Sequence, residues 1–98
     1  MGAQGTTTVD FGAAPGKSDA SVAVTGQAGI LSGSLVEAWV LPAATADHSA
    51  DEHVVEELTV LAGNIIAGTG FTIYGLHSPT SKGDTAIYGT WSVAWAWN

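Results

Sequence analysis

The sequence predicts an all-β fold, either an antiparallel β-sandwich or a jelly-roll-like barrel, with at most one short helical turn. Most segments alternate apolar and polar residues with a period of two, which is typical of strands with one buried face. Glycine, proline and serine separate these segments, and 13 glycines and four tryptophans stand among many threonines and valines. With 98 residues, the chain is expected to form one domain, residues 1–98, that buries roughly two-thirds of its unfolded surface.

The first half of the chain contains three predicted strands. Thr6 to Phe11 alternates until a stretch rich in glycine and proline ends it, and Ala20 to Thr25 repeats the alternation. The third strand, Ser34 to Leu41, is apolar on both sides except at Glu37. This pattern predicts burial of both faces, and Pro42 ends the strand.

The segment that follows fits both a helix and a strand. Ser49 and Glu52 have the spacing of a capping box, and apolar residues recur beyond them at helical intervals. The alternation of residues 58–62 and their β-branched content favour a strand instead. We predict a helical turn near Ser49 to His53, followed by a strand near Glu56 to Ala62.

The last two predicted strands carry most of the aromatic residues. Gly70 to His77 alternates, a loop follows at Ser78 to Gly83, and the final strand covers Ala86 to Trp97. That strand places large residues on one face and small residues on the other: Ile87, Gly89, Trp91, Val93, Trp95 and Trp97 against Tyr88, Thr90, Ser92, Ala94 and Ala96. Its aromatic face is expected to pack into the core.

Charge and composition exclude several classes of partner. Nine acidic residues against Lys17 and Lys82 give a formal net charge of −7, which has the wrong sign for a nucleic-acid partner. No apolar run approaches the roughly 18 residues of a membrane span, so no membrane partner is expected. Cysteine is absent, which excludes disulfides and thiolate metal sites.

One cluster of residues could ligate a divalent cation. Within residues 47–53, His48, Asp51 and His53 are the candidate metal ligands, since imidazole and carboxylate are donors that Zn²⁺ accepts. Their spacing matches no established site, and a solvated turn or helix cap explains the cluster better. We therefore expect no metal and no cofactor, and we interpret His77 as a structural or interface residue.

Catalytic motifs are not recognisable in the sequence. Gly12 to Ser18 resembles a phosphate-binding loop, but three residues separate its glycines where that loop needs four. The serines show neither a nucleophile elbow nor a triad order. The sequence is therefore expected to encode no enzyme.

The tryptophans of the last strand allow two interpretations. They could fill the core or a subunit interface, because the other strands supply mostly small residues. Alternatively, an exposed ladder at ~7 Å steps could stack on sugar rings. We prefer core or interface, and the candidate interface residues are Trp91, Trp95, Trp97, Trp39 and Tyr88.

Several segments together resemble a known class of proteins. They are Thr8 to Gly12 with Pro15-Gly16, Ala20 to Gln27, Asp47-His48 with Asp51 to His53, Ala62 to Ile65, Gly68 to Tyr74, and Tyr88 to Trp95. Over nearly the whole chain, the sequence resembles small virion structural proteins of tailed bacteriophages, of the capsid decoration or cement type.

The resemblance implies a location, a partner and an oligomeric state. It implies a non-enzymatic β-rich module, made in the host cytoplasm, that binds the major capsid protein on the outer surface of the capsid and reinforces it. Such modules commonly form homotrimers at three-fold positions. The alternative is an adhesin or carbohydrate-binding module, in a head fibre or tail component, with an exposed tryptophan face.

Overall fold

The computed structural model of the protein describes residues 2–56, 58–77 and 86–98, and the predicted loop at 78–83 lies outside them. The described chain contains six strands and one short helix. In chain order these are β1 (Ala3–Asp10), β2 (Asp19–Val24), β3 (Val36–Val40), α1 (Ala50–Val55), β4 (Leu58–Ile66), β5 (Gly70–His77) and β6 (Thr90–Trp97). The predicted all-β class with one short helical segment is confirmed.

The strands form two three-stranded antiparallel sheets that pack face to face. Sheet I has the order β1-β6-β3, and sheet II has the order β2-β5-β4. The inner faces enclose one core, whose buried members are Val9, Phe11, Val24, Ile30, Phe71, Ile73, Ile87, Trp91, Val93, Trp95 and Trp97. The last strand supplies four of these residues, as its alternation predicts.

Large side chains of one strand pack over glycines of another. The ring of Trp95 covers Gly5, its partner on β1, so closely that a Cβ there would overlap the indole. Phe11, which follows β1, packs over Gly75 on β5 of sheet II. Phe71 meets Trp95 edge-on, with ring centroids 5.6 Å apart, which is a favoured geometry for aromatic pairs. Gly75 therefore allows side chains from the β1 side of the core to approach sheet II closely.

Two predictions about strands need correction. The final strand begins at Thr90 rather than Ala86, because Gly89 adopts a φ of 79° and interrupts the extended backbone. The third strand is not buried on both faces: Val36–Val40 lies at an edge of sheet I, and its outward residues are exposed. A strand paired on one side only can be apolar without being central.

The helix is confirmed, and it extends slightly beyond the predicted turn. Ser49 is the N-cap, and it forms a reciprocal capping box with Glu52. This arrangement satisfies backbone donors that the first turn leaves unpaired. In the described part of the chain, no helix has the length and hydrophobicity needed to cross a membrane.

Candidate functional site

The three histidines are all buried at the end of the molecule where β6 begins. His48 stacks on the indole of Trp91, with ring centroids 3.8 Å apart and planes 20° from parallel. His53 meets the same indole edge-on at 5.0 Å. We call His48, His53, His77 and Trp91 the histidine cluster.

The hydrogen bonds of His53 fix the roles of its two ring nitrogens. Its Nδ1 lies 2.7 Å from the carbonyl oxygen of Ser49, which can only accept, so Nδ1 carries the hydrogen. Its Nε2 accepts the backbone N–H of Ser92 at 2.9 Å. The imidazole therefore joins the start of α1 to the central strand of sheet I.

His48 is held between two acceptors. Its Nε2 donates to the carbonyl oxygen of Tyr88 at 2.6 Å, and its Nδ1 lies 2.9 Å from a carboxylate oxygen of Glu52. The same Tyr88 carbonyl accepts the indole N–H of Trp91 at 3.2 Å.

The third histidine forms a second pair with a carboxylate. Nε2 of His77 lies 2.6 Å from a carboxylate oxygen of Glu56. Both histidine–glutamate pairs border one pocket of about 290 Å³. Its lining residues are His48, Glu52, Glu56, His77, Ala86, Ile87, Tyr88 and Trp91.

The metal hypothesis does not fit this geometry. Both ring nitrogens of His48 and of His53 are engaged by protein atoms, so a cation would have to displace those bonds. Asp51 lies exposed in the first turn of α1. Across residues 2–56, 58–77 and 86–98, no three His, Asp or Glu side chains are arranged to hold a metal ion. The cluster instead joins α1 to the two sheets.

Two carboxylates at this end have lowered pKa values. Backbone and hydroxyl hydrogen bonds from Thr90 lower the pKa of Asp47 below 3.8. The backbone N–H of Ser49, and then His48, lower the pKa of Glu52 below 4.5. Hydrogen bonds to the ionised form favour it, so both carboxylates are ionised at neutral pH.

These shifts predict a loss of stability in acid. A depressed carboxyl pKa stabilises the fold fully above the unfolded-state value, and this contribution is lost as pH falls through the folded-state value. We expect Asp47→Asn with Glu52→Gln to lower the melting temperature at pH 7 and to differ less from the parent at pH 3. Thermal unfolding between pH 7 and pH 3 measures this. Asp51→Asn removes a charge from the same helix turn outside the capping box, and it serves as the control. An equal difference at both pH values would contradict the prediction.

The candidate interface residues fall into two groups. Trp91, Trp95 and Trp97 are buried inside the chain, with at most 8% exposure, so they are core residues and form no exposed platform for sugar rings. Trp39 and Tyr88 are exposed by 45% and 44%. The tryptophan ladder therefore cannot carry the carbohydrate-binding alternative, because its aromatic face points inward.

An apolar surface that the sequence interpretation missed lies on the outer face of sheet II. Tyr74 on β5 stands directly opposite Leu61 on β4, and Leu76 follows on the same face of β5. Leu61 is 53% exposed and Ile66 55%, while Tyr74 and Leu76 are each 37% exposed. The sequence contained a signal for this surface. Side chains of a strand point alternately to its two faces, and large apolar residues occupy both faces of β4 and β5, so some of them lie outside the core.

A second apolar surface lies at the end of the molecule opposite α1. Leu31 and Leu35 are 68% and 77% exposed. Leu31 borders a hollow of about 610 Å³, and Leu35 borders one of about 270 Å³. Trp97 and Asn98 line both hollows. We call this surface the leucine end.

Charged side chains are concentrated at the other end, which we call the acidic end. It lies where β6 begins and β5 ends, and the register and hydrogen bonds place seven charged residues there: Asp10, Lys17, Asp19, Asp47, Asp51, Glu52 and Glu56. Glu37, opposite Ala96, is the one charged side chain of the described residues outside this group. Glu37 lies beside Leu35 in one of the two hollows, so the leucine end carries one charged side chain among the described residues.

Comparison with known proteins gave no relative. Profiles of protein families, curated proteins and solved structures yielded no match to this chain.

Proposed function

We propose that this chain is a structural virion protein that binds the outer surface of a phage capsid, as a homotrimer, and stabilises the shell. The resemblance of its sequence to decoration proteins implies that the particle is a phage capsid and that the partner is the major capsid protein. Independently of that resemblance, the surface of the molecule supports a role in protein assembly.

The exposure of large apolar side chains carries the proposal. Ten such residues of the described chain are more than a third exposed: Leu31, Leu35, Trp39, Val54, Val55, Leu61, Ile66, Tyr74, Leu76 and Tyr88. Three of them adjoin on one face of sheet II, where Leu61 lies opposite Tyr74 and Leu76 follows Tyr74. Contiguous exposed apolar surface is typical of sites that bind other proteins. A chain of this length gains further burial by packing against a larger surface.

The histidine cluster supports a non-enzymatic role. His53 bridges backbone groups of Ser49 and Ser92, and His48 joins the backbone carbonyl of Tyr88 to the side chain of Glu52, as structural residues do. No side-chain nitrogen or oxygen that is buried in the described residues lacks a hydrogen-bond partner. A general base needs a nitrogen that can reach the proton of a substrate, and both nitrogens of His53 are already bonded within the protein.

The distribution of charge suggests which end meets the capsid. The leucine end offers apolar side chains beside hollows and little charge to desolvate, whereas burying the acidic end would cost the hydration of several carboxylates. We place the leucine end against the major capsid protein and the acidic end in solvent. Bound copies would then expose a negative outer surface, which opposes aggregation of particles.

Binding to assembled shells tests the proposal. Shells of the major capsid protein encoded by the same genome are mixed with the purified chain and sedimented, and the temperature of shell disassembly is measured. We expect saturable binding and a higher disassembly temperature. Leu31→Ser with Leu35→Ser is expected to weaken binding at least tenfold.

A matched pair at the other end provides the control. Val54 and Val55 are exposed by 67% and 78%, nearly the same fractions as Leu31 and Leu35, but they lie on α1 at the acidic end. Val54→Ser with Val55→Ser is expected to leave binding unchanged. If the unsubstituted chain does not sediment with the shells, the capsid function is wrong; if both double variants bind equally, the leucine end is not the contact.

A further inference from the structure

A hollow of about 470 Å³ opens on the outer face of sheet II, where β2 begins and β5 ends. We infer that it binds a neutral sugar, with the apolar face of a pyranose ring against Tyr74 and the ring hydroxyls toward Lys17 and Asp19. The hollow belongs to the acidic end, so it is separate from the leucine end that the proposed function places against the capsid. A copy bound through its leucine end would leave the hollow accessible.

The shape of the hollow follows from side chains of different size on neighbouring segments. Tyr74 and Leu76 on β5 are large, whereas Ser21, which lies opposite Tyr74 on the edge strand β2, is small. The drop from β5 to β2 makes the surface concave. The other side chains that line the hollow are charged: Asp10 at the end of β1, Lys17 between β1 and β2, and Asp19 at the start of β2. One side of the hollow is therefore apolar and aromatic, and the rest is polar.

The charged groups of the hollow are available to a ligand. Within the described residues, the side chains of Lys17 and Asp19 take part in no hydrogen bond or ion pair with the protein. Asp10 uses one carboxylate oxygen to accept the backbone N–H of Gly12, which leaves its second oxygen. By contrast, the carboxylate of Asp47 at the same end of the molecule is bonded to backbone and hydroxyl groups. The hollow therefore offers one donor group and two acceptor groups that the fold does not use.

The charges in the hollow favour a neutral ligand rich in hydroxyl groups. Two carboxylates repel an anion, in a chain whose formal charge is already −7. The ammonium group of Lys17 opposes a cation in the same space. A hydroxyl group suits both kinds of charge, because it donates to a carboxylate and accepts from an ammonium. Hydrogen bonds to charged groups are also stronger than bonds between neutral groups.

Tyr74 selects a sugar among the neutral ligands. Its side chain is 37% exposed and presents an aromatic ring beside the charged groups. One face of a pyranose carries C–H groups that pack on an aromatic ring, while its hydroxyls extend from the ring edge. The volume of about 470 Å³ is within the roughly 300–1,000 Å³ of pockets that hold small ligands. This site does not involve the buried tryptophans.

Titration with simple sugars tests the inference. The isotope-labelled chain is titrated with the methyl glycosides of glucose, galactose, mannose and N-acetylglucosamine, up to several tens of millimolar, and its backbone amide signals are followed by NMR. We expect at least one of the four sugars to shift the signals of Ser21 and Tyr74 saturably and to leave those of Leu31 and Leu35 unchanged. No saturable shift with any of the four, or shifts that map outside the hollow, would overturn the inference.

Substitutions at Tyr74 test the aromatic contact. Tyr74→Ala is expected to weaken binding at least tenfold, whereas Tyr74→Phe keeps the ring and is expected to retain binding. Trp39→Ala is the control, because it removes an aromatic side chain that is similarly exposed but lies on sheet I. We expect it to leave binding unchanged. Equal binding by the parent and Tyr74→Ala, or a loss of binding in Trp39→Ala, would contradict this site.

A single carboxylate tests the polar side of the hollow, in a variant that leaves the core intact. Asp19→Asn keeps the size of the side chain and removes its charge, and it is expected to weaken binding about fivefold because hydrogen bonds to charged groups are roughly twice as strong. Asp51→Asn removes a charge from α1, outside the hollow, and is expected to have no effect. Equal affinities for these two variants would rule out the bond from Asp19 to the sugar. Because the titrations use the isolated chain, sugar binding and capsid binding can fail independently.

Discussion

Replacing Trp91 with alanine is expected to destabilise the fold by about 3–5 kcal/mol, the usual cost of deleting a buried aromatic side chain. Trp91 is 2% exposed, stacks on His48 and donates its indole N–H to the carbonyl of Tyr88. The substitution leaves a cavity and removes the wall against which both His48 and His53 rest. Each kcal/mol lowers the melting temperature of a domain this size by roughly 4–8 °C, so the loss is a large part of the total stability.

Two further variants separate the contribution of burial from that of size. Trp39→Ala deletes a tryptophan that is 45% exposed, and it is expected to cost only about 1 kcal/mol because less apolar surface leaves the core. Trp91→Phe keeps an aromatic ring but loses the indole hydrogen bond, and its stability is expected to lie between the parent and Trp91→Ala. Chemical unfolding of the four proteins measures the differences. Similar losses for Trp91→Ala and Trp39→Ala would contradict the assignment of Trp91 to the core.

The sequence predicted the strands best where one face is buried and the other is not. In β6 the period of two is uninterrupted from Trp91 to Trp97, and every large residue on that face is in the core. In β3 the same kind of reasoning failed, because apolar residues on both faces indicated a central strand. The structure places β3 at an edge, where its outward side chain Trp39 is exposed. Apolar character alone does not distinguish a buried face of a strand from an exposed apolar face.

The histidine cluster could be predicted only in part. The capping box of Ser49 and Glu52 is a local pattern, and it is present as predicted. The roles of His48 and His53 depend on partners 40 and 39 residues away, Tyr88 and Ser92, which no local spacing reveals. For the same reason, the sequence offered His48, Asp51 and His53 only as candidate ligands beside the preferred helix cap, whereas the fold engages both ring nitrogens of His48 and of His53 with protein atoms.

The apolar surfaces could not be predicted either, because they too depend on contacts between residues that are distant in sequence. Leu61 and Tyr74 come together only through the antiparallel register of β4 and β5, and Ser21 joins them through β2. Leu35 falls within the predicted third strand, and no local pattern shows that the fold places it and Leu31 beside Trp97. The concentration of charged residues at one end of the molecule likewise depends on which strand ends the fold brings together.

Replacing Gly16 with alanine is expected to lower the stability by roughly 3–4 kcal/mol. Gly16 has a φ of 80°, a conformation that costs a residue with a side chain about 1–2 kcal/mol. A Cβ there would also overlap the carbonyl oxygen of Ile87. Relieving that overlap breaks the two 2.9 Å hydrogen bonds between Lys17 and Ile87, each of which contributes about 1 kcal/mol.

Gly26 provides a control with nearly the same backbone. Its φ is 76°, but a Cβ there would meet no atom within 4 Å. Gly26→Ala should therefore show only the conformational cost of about 1–2 kcal/mol.

Because the Lys17–Ile87 bridge holds the turn between β1 and β2 against the segment before β6, Gly16→Ala should also loosen the backbone around Tyr88, whose carbonyl binds His48 and Trp91. Thermal unfolding of both variants, with hydrogen exchange of the Ile87 amide, measures the two effects. Equal melting temperatures for the two variants would show that the overlap with Ile87 costs nothing, and that the bridge does not hold this end of the fold together.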